Sequence, residues 1–182
     1  MFPSALNETK KFIPLNIAVL VVSDTRTLED DVSGALLEKM IVEDGHICVS
    51  RQIVKDNIAA IRAVVQGWVA DSGVDIVLTT GGTGFTGFDV TPEALEPLFD
   101  KRMDGFSALF HAYSAQKIGT STMLSRATAG LAADTFIFCL PGSKGACRDA
   151  WEGVIRHQLN YQHGPCNIVE IMPRLGEHLG KK

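Results

Sequence analysis

Short apolar runs that alternate with helical patterns are the feature that most constrains how this 182-residue chain can fold. Residues 15–22 form an apolar run without polar alternation, and residues 75–80 form a short β-branched run followed at once by glycines, so both predict buried strands. Residues 47–54 alternate enough to lie nearer a sheet edge, and residues 135–140 form a fourth predicted strand. Because parallel strands need a covering crossover helix, we expect an α/β protein: a three-layer α/β/α sandwich with a mostly parallel central sheet.

Helical patterns fill the intervals between the predicted strands. Residues 32–44 form one helix that ends at Gly45, and Asn57 can cap a second helix whose apolar residues recur every three or four positions. For residues 118–130 the sequence favours helical and extended structure about equally. Further helices are expected at about residues 92–99, 106–116 and 146–159.

Length and composition favour one domain in a cytoplasmic protein. We expect a single domain at residues 15–168, between a flexible N-terminal arm at 1–14 and a C-terminal tail at 169–182. The formal net charge of −4 provides no basic surface for nucleic acid, and no apolar run is long enough to span a membrane, so we expect neither as a partner. The four cysteines are widely spaced, which is typical of reduced cytoplasmic thiols: Cys48, Cys139, Cys147 and Cys166.

Polar or glycine-rich clusters follow all four predicted strands. They comprise residues 23–26, 55–56, 80–89 and 141–144. Ligands of open α/β sheets bind beyond the carboxyl ends of the strands, so the coincidence of four clusters predicts one site. Ser23 and Asp24 are candidate binding residues of that site, although Asp24 also fits a simple turn.

The third cluster suits an anion. It consists of nearly side-chain-free backbone whose N–H groups can face a phosphate: Thr80, Gly81, Gly82, Thr83 and Gly84. A helix begins nearby, with Thr91 as its expected cap and Pro92 as its first residue. A tight turn that needs positive φ is the alternative explanation of the glycines. The spacing matches neither a Walker A motif nor the dinucleotide-binding motif, which argues against a typical kinase or dehydrogenase.

The turn after the fourth strand offers a second anion site. Gly142 permits close approach, Ser143 can cap the next helix and Lys144 supplies a positive charge, while Pro141 ends the strand. A plain strand-to-helix turn explains the same residues equally well.

Asp56 and Asp89 are the carboxylates that we assign to catalysis. Carboxylates close to phosphates commonly hold Mg²⁺, which prefers oxygen ligands and keeps several waters. Asp89 can instead stabilise the helix start, and Asp56 can be a turn residue. The five histidines are isolated and show no metal-ligand spacing.

Four segments together resemble the molybdopterin-binding MoaB/MogA family. They are residues 79–84 (TTGGTG), 89–94 (DVTPEA), 125–127 (SRA) and 140–143 (LPGS), and the resemblance extends over residues 16–166. Residues 29–34, residues 146–148 with Trp151, and residues 165–167 are most similar to the B branch of that family. Ser125 and Arg126 thereby become candidate binding residues as well.

The resemblance implies a cytoplasmic α/β/α protein that assembles as a homotrimer or as a hexamer of two trimers. Catalytic members of the family transfer AMP from Mg-ATP to the terminal phosphate of molybdopterin, late in molybdenum cofactor synthesis, and other proteins of that pathway are possible partners. By position, Asp56 and Asp89 match the aspartates linked to catalysis. Residues 81–84 match the phosphate-binding loop, and residues 141–143 match the second anion site.

One position departs from the family pattern. Many adenylylating members carry a basic residue immediately before the aspartate, whereas this chain has Phe88. An Arg–phosphate contact is a strong charge-assisted bond, so its loss weakens triphosphate binding. The alternative to an adenylyltransferase is therefore a non-catalytic molybdopterin-binding protein or pathway scaffold of the B branch.

Overall fold

A computed structural model describes the backbone of residues 5–177 and the side chains of residues 6–177. Its strands are β1 (Ala5–Leu6), β2 (Asn16–Val22), β3 (Ile47–Val54), β4 (Ile76–Thr80), β5 (Lys101–Arg102), β6 (Thr128–Ala132), β7 (Thr135–Leu140) and β8 (His163–Gly164). Its helices are α1 (Val32–Glu43), α2 (Ile58–Val69), α3 (Thr91–Leu95), α4 (Asp104–Ile118), α5 (Lys144–Ala150), α6 (Arg156–Gln158) and α7 (Ile168–Ile171).

A mostly parallel sheet forms the middle layer. Within residues 5–177, six strands pair in the order β3-β2-β4-β7-β6-β5. The first four strands run parallel, whereas β6 is antiparallel to β7 and β5 is antiparallel to β6. The predicted fold class is confirmed, including the position of β3 at a sheet edge.

Helices cover both faces of this sheet. Alternate residues of β2 enter two separate cores: Ile17 and Val19 pack with α1, α4 and α5 on one face, whereas Ala18 and Leu20 pack with α2 and α3 on the other. This two-sided burial explains why β2 is apolar throughout, since a residue on either face lies against a helix. The three-layer arrangement follows directly.

Two helical segments differ from the predicted ones, and a third segment, left open by the sequence, is resolved by the structure. The helix expected at 92–99 leaves α geometry after Leu95 and continues as a 3₁₀ turn, Glu96–Leu98, because Pro97 has no N–H to donate. The helix expected at 146–159 starts at Lys144 and contains a π-helical stretch, Trp151–Ile155. Residues 118–130 are divided between the end of α4, a 3₁₀ helix at Gly119–Leu124, and β6.

The described parts of both termini pack together. β1 pairs antiparallel with β8, the amide of Asn7 donates to the carbonyl of Gln162 (2.8 Å), and Lys10 Nζ lies 3.3 Å from Glu170 Oε1. The division into arm, domain and tail remains a prediction, and residues 1–4 and 178–182 lie outside the described residues. Across residues 5–177, no helix is both long and apolar enough to cross a bilayer.

Candidate functional site

The carboxyl ends of the four parallel strands bring the four polar clusters together. The amide of Ser23 donates to the carbonyl of Val54 (2.9 Å), which joins the ends of β2 and β3. The amide of Gly81 donates to the carbonyl of Leu140 (3.0 Å), which joins the ends of β4 and β7. The amide of Asp56 donates to Asp24 Oδ1 (3.3 Å), so the first two turns also touch. The strand register therefore places the four clusters side by side at one edge of the sheet.

The glycine loop, residues 81–89 after β4, lies between the turn at residues 55–56 (the Asp56 turn) and the turn at residues 141–144 (the Pro141 turn). Gly82 has a φ of +65°, and a Cβ there would collide with Thr91 Oγ1 and lie 2.9 Å from Asp56 Oδ1. On the other side, a Cβ on Gly142 would lie 3.2 Å from the Cα of Gly81. Glycine is thus required at position 82 both by its backbone conformation and by its neighbours.

Free main-chain donors remain in this loop. Among the hydrogen bonds formed by residues 5–177, none has the amide of Gly82 or Thr83 as its donor. The predicted helix cap at Thr91 is wrong: Val90 occupies the cap position, and the buried Thr91 donates from its hydroxyl to the carbonyl of Gly81 (2.8 Å). Thr91 consequently orders the glycine loop instead of its own helix.

Asp89 closes the far end of the loop. Its Oδ2 atom accepts hydrogen bonds from the amide (2.8 Å) and the hydroxyl (2.6 Å) of Thr86. Burial alone raises the pKa of Asp89, but the bonds from Thr86 and the amide of Gly84 outweigh burial and hold the pKa below its ordinary value. Asp89 is therefore a stable anion that also shapes the turn.

The negative charge of Asp56 is less favoured by its surroundings than that of Asp89. Burial raises its pKa most, and the negative charges of Asp24 and Asp89 raise it further. Within residues 5–177, no three His, Cys, Asp or Glu side chains form a ready-made metal site. Mg²⁺ needs only one or two protein carboxylates when phosphates complete its shell, so the aspartates of this region suit that ion only together with a phosphate ligand.

The turn after β7 is short and leads directly into a helix. Ser143 caps α5 by accepting a hydrogen bond from the amide of Ala146 (3.1 Å). Two hydroxyls hold the turn from outside, since Thr80 Oγ1 donates to the carbonyl of Pro141 (3.0 Å) and Ser33 Oγ donates to that of Gly142 (2.9 Å). Gly142, Ser143 and Lys144 are exposed beside the glycine loop.

Arg126 contacts the glycine loop itself. Its amide donates to the carbonyl of Thr83 (2.8 Å), its Nε to the carbonyl of Gly84 (2.7 Å) and its Nη2 to the carbonyl of Asp89 (2.9 Å). Its Nη1 pairs with Glu93, which lowers the pKa of that carboxyl. Three carbonyls and a carboxylate of the loop region are therefore bound by one residue.

The remaining predicted binding residues contact the turns in different ways. Ser23 Oγ accepts hydrogen bonds from the amides of Thr25 and Arg26, both at 3.3 Å, and Asp24 is exposed. The hydroxyl of Ser125 is buried without a hydrogen-bond partner among the described residues. Ser23 thus forms its own turn, while Ser125 lies behind the loop.

Sequence reasoning missed two residues that shape the site. Thr86 and Ser33 each bind a turn of the site through side-chain hydrogen bonds. A threonine three residues before an aspartate is a turn pattern that could have indicated Thr86. Nothing local indicates Ser33, because its partner lies 109 residues away.

A mostly parallel α/β sheet with a glycine-rich loop and clustered carboxylates at its strand ends is typical of proteins that bind phosphorylated ligands. The family model described as "Probable molybdopterin binding domain" matches residues 18–161. Molybdenum cofactor biosynthesis protein B of Escherichia coli (strain K12) is 52% identical over 158 residues, which cover 87% of this chain and 93% of that protein. The chain belongs to this molybdopterin-binding family of molybdenum cofactor biosynthesis proteins.

Solved structures agree with this assignment. A crystal structure of a molybdenum cofactor biosynthesis protein B has a TM-score of 0.83 and 38% identity, covering 92% of this chain and 99% of that one. The tungsten cofactor synthesizing protein MoaB from Pyrococcus furiosus has a TM-score of 0.67 and 35% identity, covering 76% of this chain and 89% of that one. The similarity therefore spans nearly the whole domain.

Proposed function

We propose that the chain binds molybdopterin at the strand-end site and transfers AMP from Mg-ATP to the terminal phosphate of molybdopterin. The observation that carries this proposal is the glycine loop, whose two unused amides lie between the carboxylate of Asp56 and the exposed Pro141 turn. One phosphorylated ligand fits at the loop, and a second fits at the short turn beside it. Nucleotidyl transfer needs two such neighbouring anion sites.

The main chain would bind the phosphate of molybdopterin. The amides of Gly82 and Thr83 supply donors that Thr91 and Arg126 already fix in place. Little conformational entropy would therefore be lost when the phosphate binds. At the second turn, the exposed Lys144 supplies a compact positive charge for a polyphosphate.

The carboxylates suit a magnesium-bound triphosphate. Asp56 and Asp89 would hold Mg²⁺, with Asp24 beside them, and the ion would supply neutralisation of the phosphate charge. Burial and the neighbouring aspartates raise the pKa of Asp56, which means that its negative charge is disfavoured there. A bound cation would offset that cost.

The reaction exchanges one phosphorus–oxygen bond for another. An oxygen of the terminal phosphate of molybdopterin bonds to the α-phosphorus of ATP, and the bond from that phosphorus to the oxygen bridging to the β-phosphorus breaks. Pyrophosphate leaves with that oxygen and its electron pair. The protein contributes by holding both phosphates in line at the junction of the two turns.

The test is direct incubation with both substrates. The protein, Mg-ATP and molybdopterin should yield adenylyl-molybdopterin and pyrophosphate, each detected by chromatography. No product, while a catalytic homologue works in a parallel reaction, would refute the adenylyl transfer.

Asp89→Asn separates chemistry from binding. We expect turnover to fall by about 10²-fold or more, because a carboxylate that would hold Mg²⁺ at the reacting phosphates is lost, while the Kd for molybdopterin changes little. Asp134→Asn, an exposed aspartate in the turn between β6 and β7, is the matched control and should behave like the unaltered protein. Equal losses in turnover and in pterin affinity would contradict the assigned role.

A binding protein without catalysis is the second candidate function. Phe88, which stands where many adenylylating relatives have a basic residue, is 73% exposed at the loop and brings no charge to a triphosphate. This candidate predicts pterin binding that is indifferent to Mg-ATP. A titration in which Mg-ATP strongly changes the pterin Kd would count against it.

Assembly and location belong to the same proposal. By resemblance, we propose a homotrimer, or a hexamer of two trimers, that acts in the cytoplasm with other proteins of the pathway. Light scattering at micromolar concentration should give a multiple of the 19.7 kDa chain mass, and a monomeric mass would contradict it.

A further inference from the structure

Phe85 and Phe88 of the glycine loop are exposed aromatic side chains. Their exposed fractions are 68% and 73%, whereas every other phenylalanine, tyrosine and tryptophan between residues 6 and 177 is buried or half-buried. An aromatic ring has a large apolar area, so two rings left in water on one loop forgo the stabilisation that burial would give. An exposed apolar surface beside a ligand site is where an apolar part of the ligand can bind.

The two rings differ in what they contact. The guanidinium of Arg126 lies over the ring of Phe85, 5.4 Å from its centroid, so this ring already has a cation–π partner. Within the described residues, Phe88 has neither an aromatic ring nor a cation against it. At the preceding Gly87, an added Cβ would have no atom within 4 Å beyond its chain neighbours, which indicates open space. Phe88 is therefore the ring that is free for a ligand.

The main chain on both sides of Phe88 is fixed. The amide of Asp89 donates to the carbonyl of Thr86 (3.1 Å), which closes the turn that contains Phe88. Arg126 Nη2 donates to the carbonyl of Asp89 (2.9 Å), and the carboxylate of Asp89 accepts from Thr86. An ordered turn thus presents the ring, and a ligand that stacks on it does not have to order the loop first.

The free amides of the loop are within reach of the same ring. The amide of Thr91 donates to the carbonyl of Gly82 (2.9 Å), so the two ends of the loop meet. Phe88 precedes Thr91 by three residues, which places its Cα at most about 16 Å from that of Gly82. One ligand can therefore contact the amides of Gly82 and Thr83 through a phosphate and Phe88 through a planar ring several bonds away.

We propose that Phe88 is a specificity-determining residue that stacks on the pterin ring of the phosphorylated ligand bound at the glycine loop. The main-chain amides of Gly82 and Thr83 recognise the negative charge of a phosphate, whatever is attached to it. Stacking on an aromatic side chain requires a planar ring, so Phe88 favours a phosphate that carries one. The identity of that ring as a pterin rests on the proposed function.

Three phosphorylated probes test this selection. They are hydroxymethylpterin phosphate, AMP and glycerol phosphate, which carry a pterin, a purine and no ring respectively. In titrations followed by NMR, the unaltered protein should bind the pterin probe more tightly than glycerol phosphate. Phe88→Ser should weaken binding of the pterin probe roughly tenfold, the effect of one lost stack, and leave the Kd values of the other two probes unchanged.

Further variants separate stacking from general apolar contact. Phe88→Leu keeps apolar bulk without a π face and should recover little of the lost pterin affinity. Phe88→Trp should recover it and also quench the fluorescence of the bound pterin. Val42→Ser removes an exposed apolar side chain (58%) in the last turn of α1 and should leave the Kd values of all three probes unchanged.

Stability measurements check that Phe88 acts on the ligand and not on the fold. Because the ring is exposed, the urea midpoint of Phe88→Ser should equal that of the unaltered protein. A lower midpoint, with equal losses of affinity for the pterin probe and for glycerol phosphate, would mean that the ring only shapes the loop and would overturn the proposal.

Three other results would also contradict the stacking role. A loss confined to AMP would assign the ring to the nucleotide. A loss of pterin preference in Phe85→Ser but not in Phe88→Ser would assign stacking to the wrong ring. Unchanged affinities in Phe88→Ser, with a lower mass in light scattering, would mean that another copy of this chain covers the ring.

The stacking role and the adenylyl transfer can fail separately. If pterin preference depends on Phe88 but no adenylylated product forms, the stacking role stands and the adenylyl transfer fails. If product forms while the pterin Kd is the same in Phe88→Ser and in the unaltered protein, the stacking role fails alone.

Discussion

The two turns that we propose as anion sites follow adjacent strands, yet different parts of the molecule hold them in place. The glycine loop after β4 is long, and residues from outside it, notably Arg126 and Thr91, bind its carbonyls. The turn after β7 is short, and Ser143 fixes it locally by capping α5. The long loop therefore relies on a charged side chain from another segment, whereas the short turn, although Thr80 and Ser33 also bind it, has a local restraint in the helix that follows it.

Replacing a glycine of each turn by alanine should give the largest difference in stability between the two turns. Gly82→Ala forces a side chain into the left-handed region and against Thr91 Oγ1, so we expect a loss of about 3 kcal/mol in the free energy of unfolding. Gly142→Ala meets only the backbone of Gly81, whose Cα lies 3.2 Å away, and should cost less than about 1 kcal/mol. Urea denaturation measures both variants. Similar losses would mean that the two turns are equally constrained.

Arg126→Ala should be the next most damaging change. The carbonyls of Gly84 and Asp89 lose charged donors, and we expect a loss of about 2 kcal/mol in unfolding free energy. Arg148→Ala is the matched control, because its contact with Glu152 is exposed and 3.7 Å long and should contribute less than about 0.5 kcal/mol. Equal effects of the two substitutions would show that the contacts of Arg126 do not order the loop.

Ser143→Ala tests the local restraint of the shorter turn. The amide of Ala146 loses its acceptor, so we expect a loss of about 1 kcal/mol and a Tm lower by roughly 2–4 °C in calorimetry. Ser143→Thr keeps a capping hydroxyl and should restore most of that loss. A Tm unchanged by alanine would indicate that the hydroxyls of Thr80 and Ser33 suffice to hold the turn.

The two turns also differ in how far sequence could predict them. The buried pattern of β2, the strand-end clusters and the cap at Ser143 are local, because each involves residues a few positions apart. The role of Arg126 was not predictable in this way, since its partner Gly84 lies 42 residues away. The prediction for Thr91 was wrong for a related reason. Its sequence context is that of a helix cap, but its buried hydroxyl donates to the carbonyl of Gly81 instead of capping the helix.

The smallest predicted effect is a change in the free energy of unfolding that has opposite signs for Asp56→Asn and Asp89→Asn. The pKa of Asp56 is raised by burial and by Asp24 and Asp89, so the folded state binds protons more tightly there than the unfolded chain does. The stabilising effect of protonated Asp56 is present below the ordinary aspartate pKa of about 3.9 and is lost as pH rises through the folded pKa. Without Mg²⁺ at neutral pH, Asp56→Asn should therefore raise the unfolding free energy by a few tenths of a kcal/mol, discounted for the partial exposure of the carboxyl.

Asp89→Asn should have the opposite sign in the same urea titrations. Its pKa is lowered by hydrogen bonds from Thr86 and Gly84 that outweigh burial, so its contribution is present at neutral pH and is lost as pH falls through the folded pKa. Adding Mg²⁺ should stabilise the unaltered protein and reverse the advantage of Asp56→Asn, because the cation offsets the repulsion among the aspartates. If Asp56→Asn is destabilising at neutral pH without Mg²⁺, the carboxylate is already compensated within the protein, and the turn gains nothing from binding a cation.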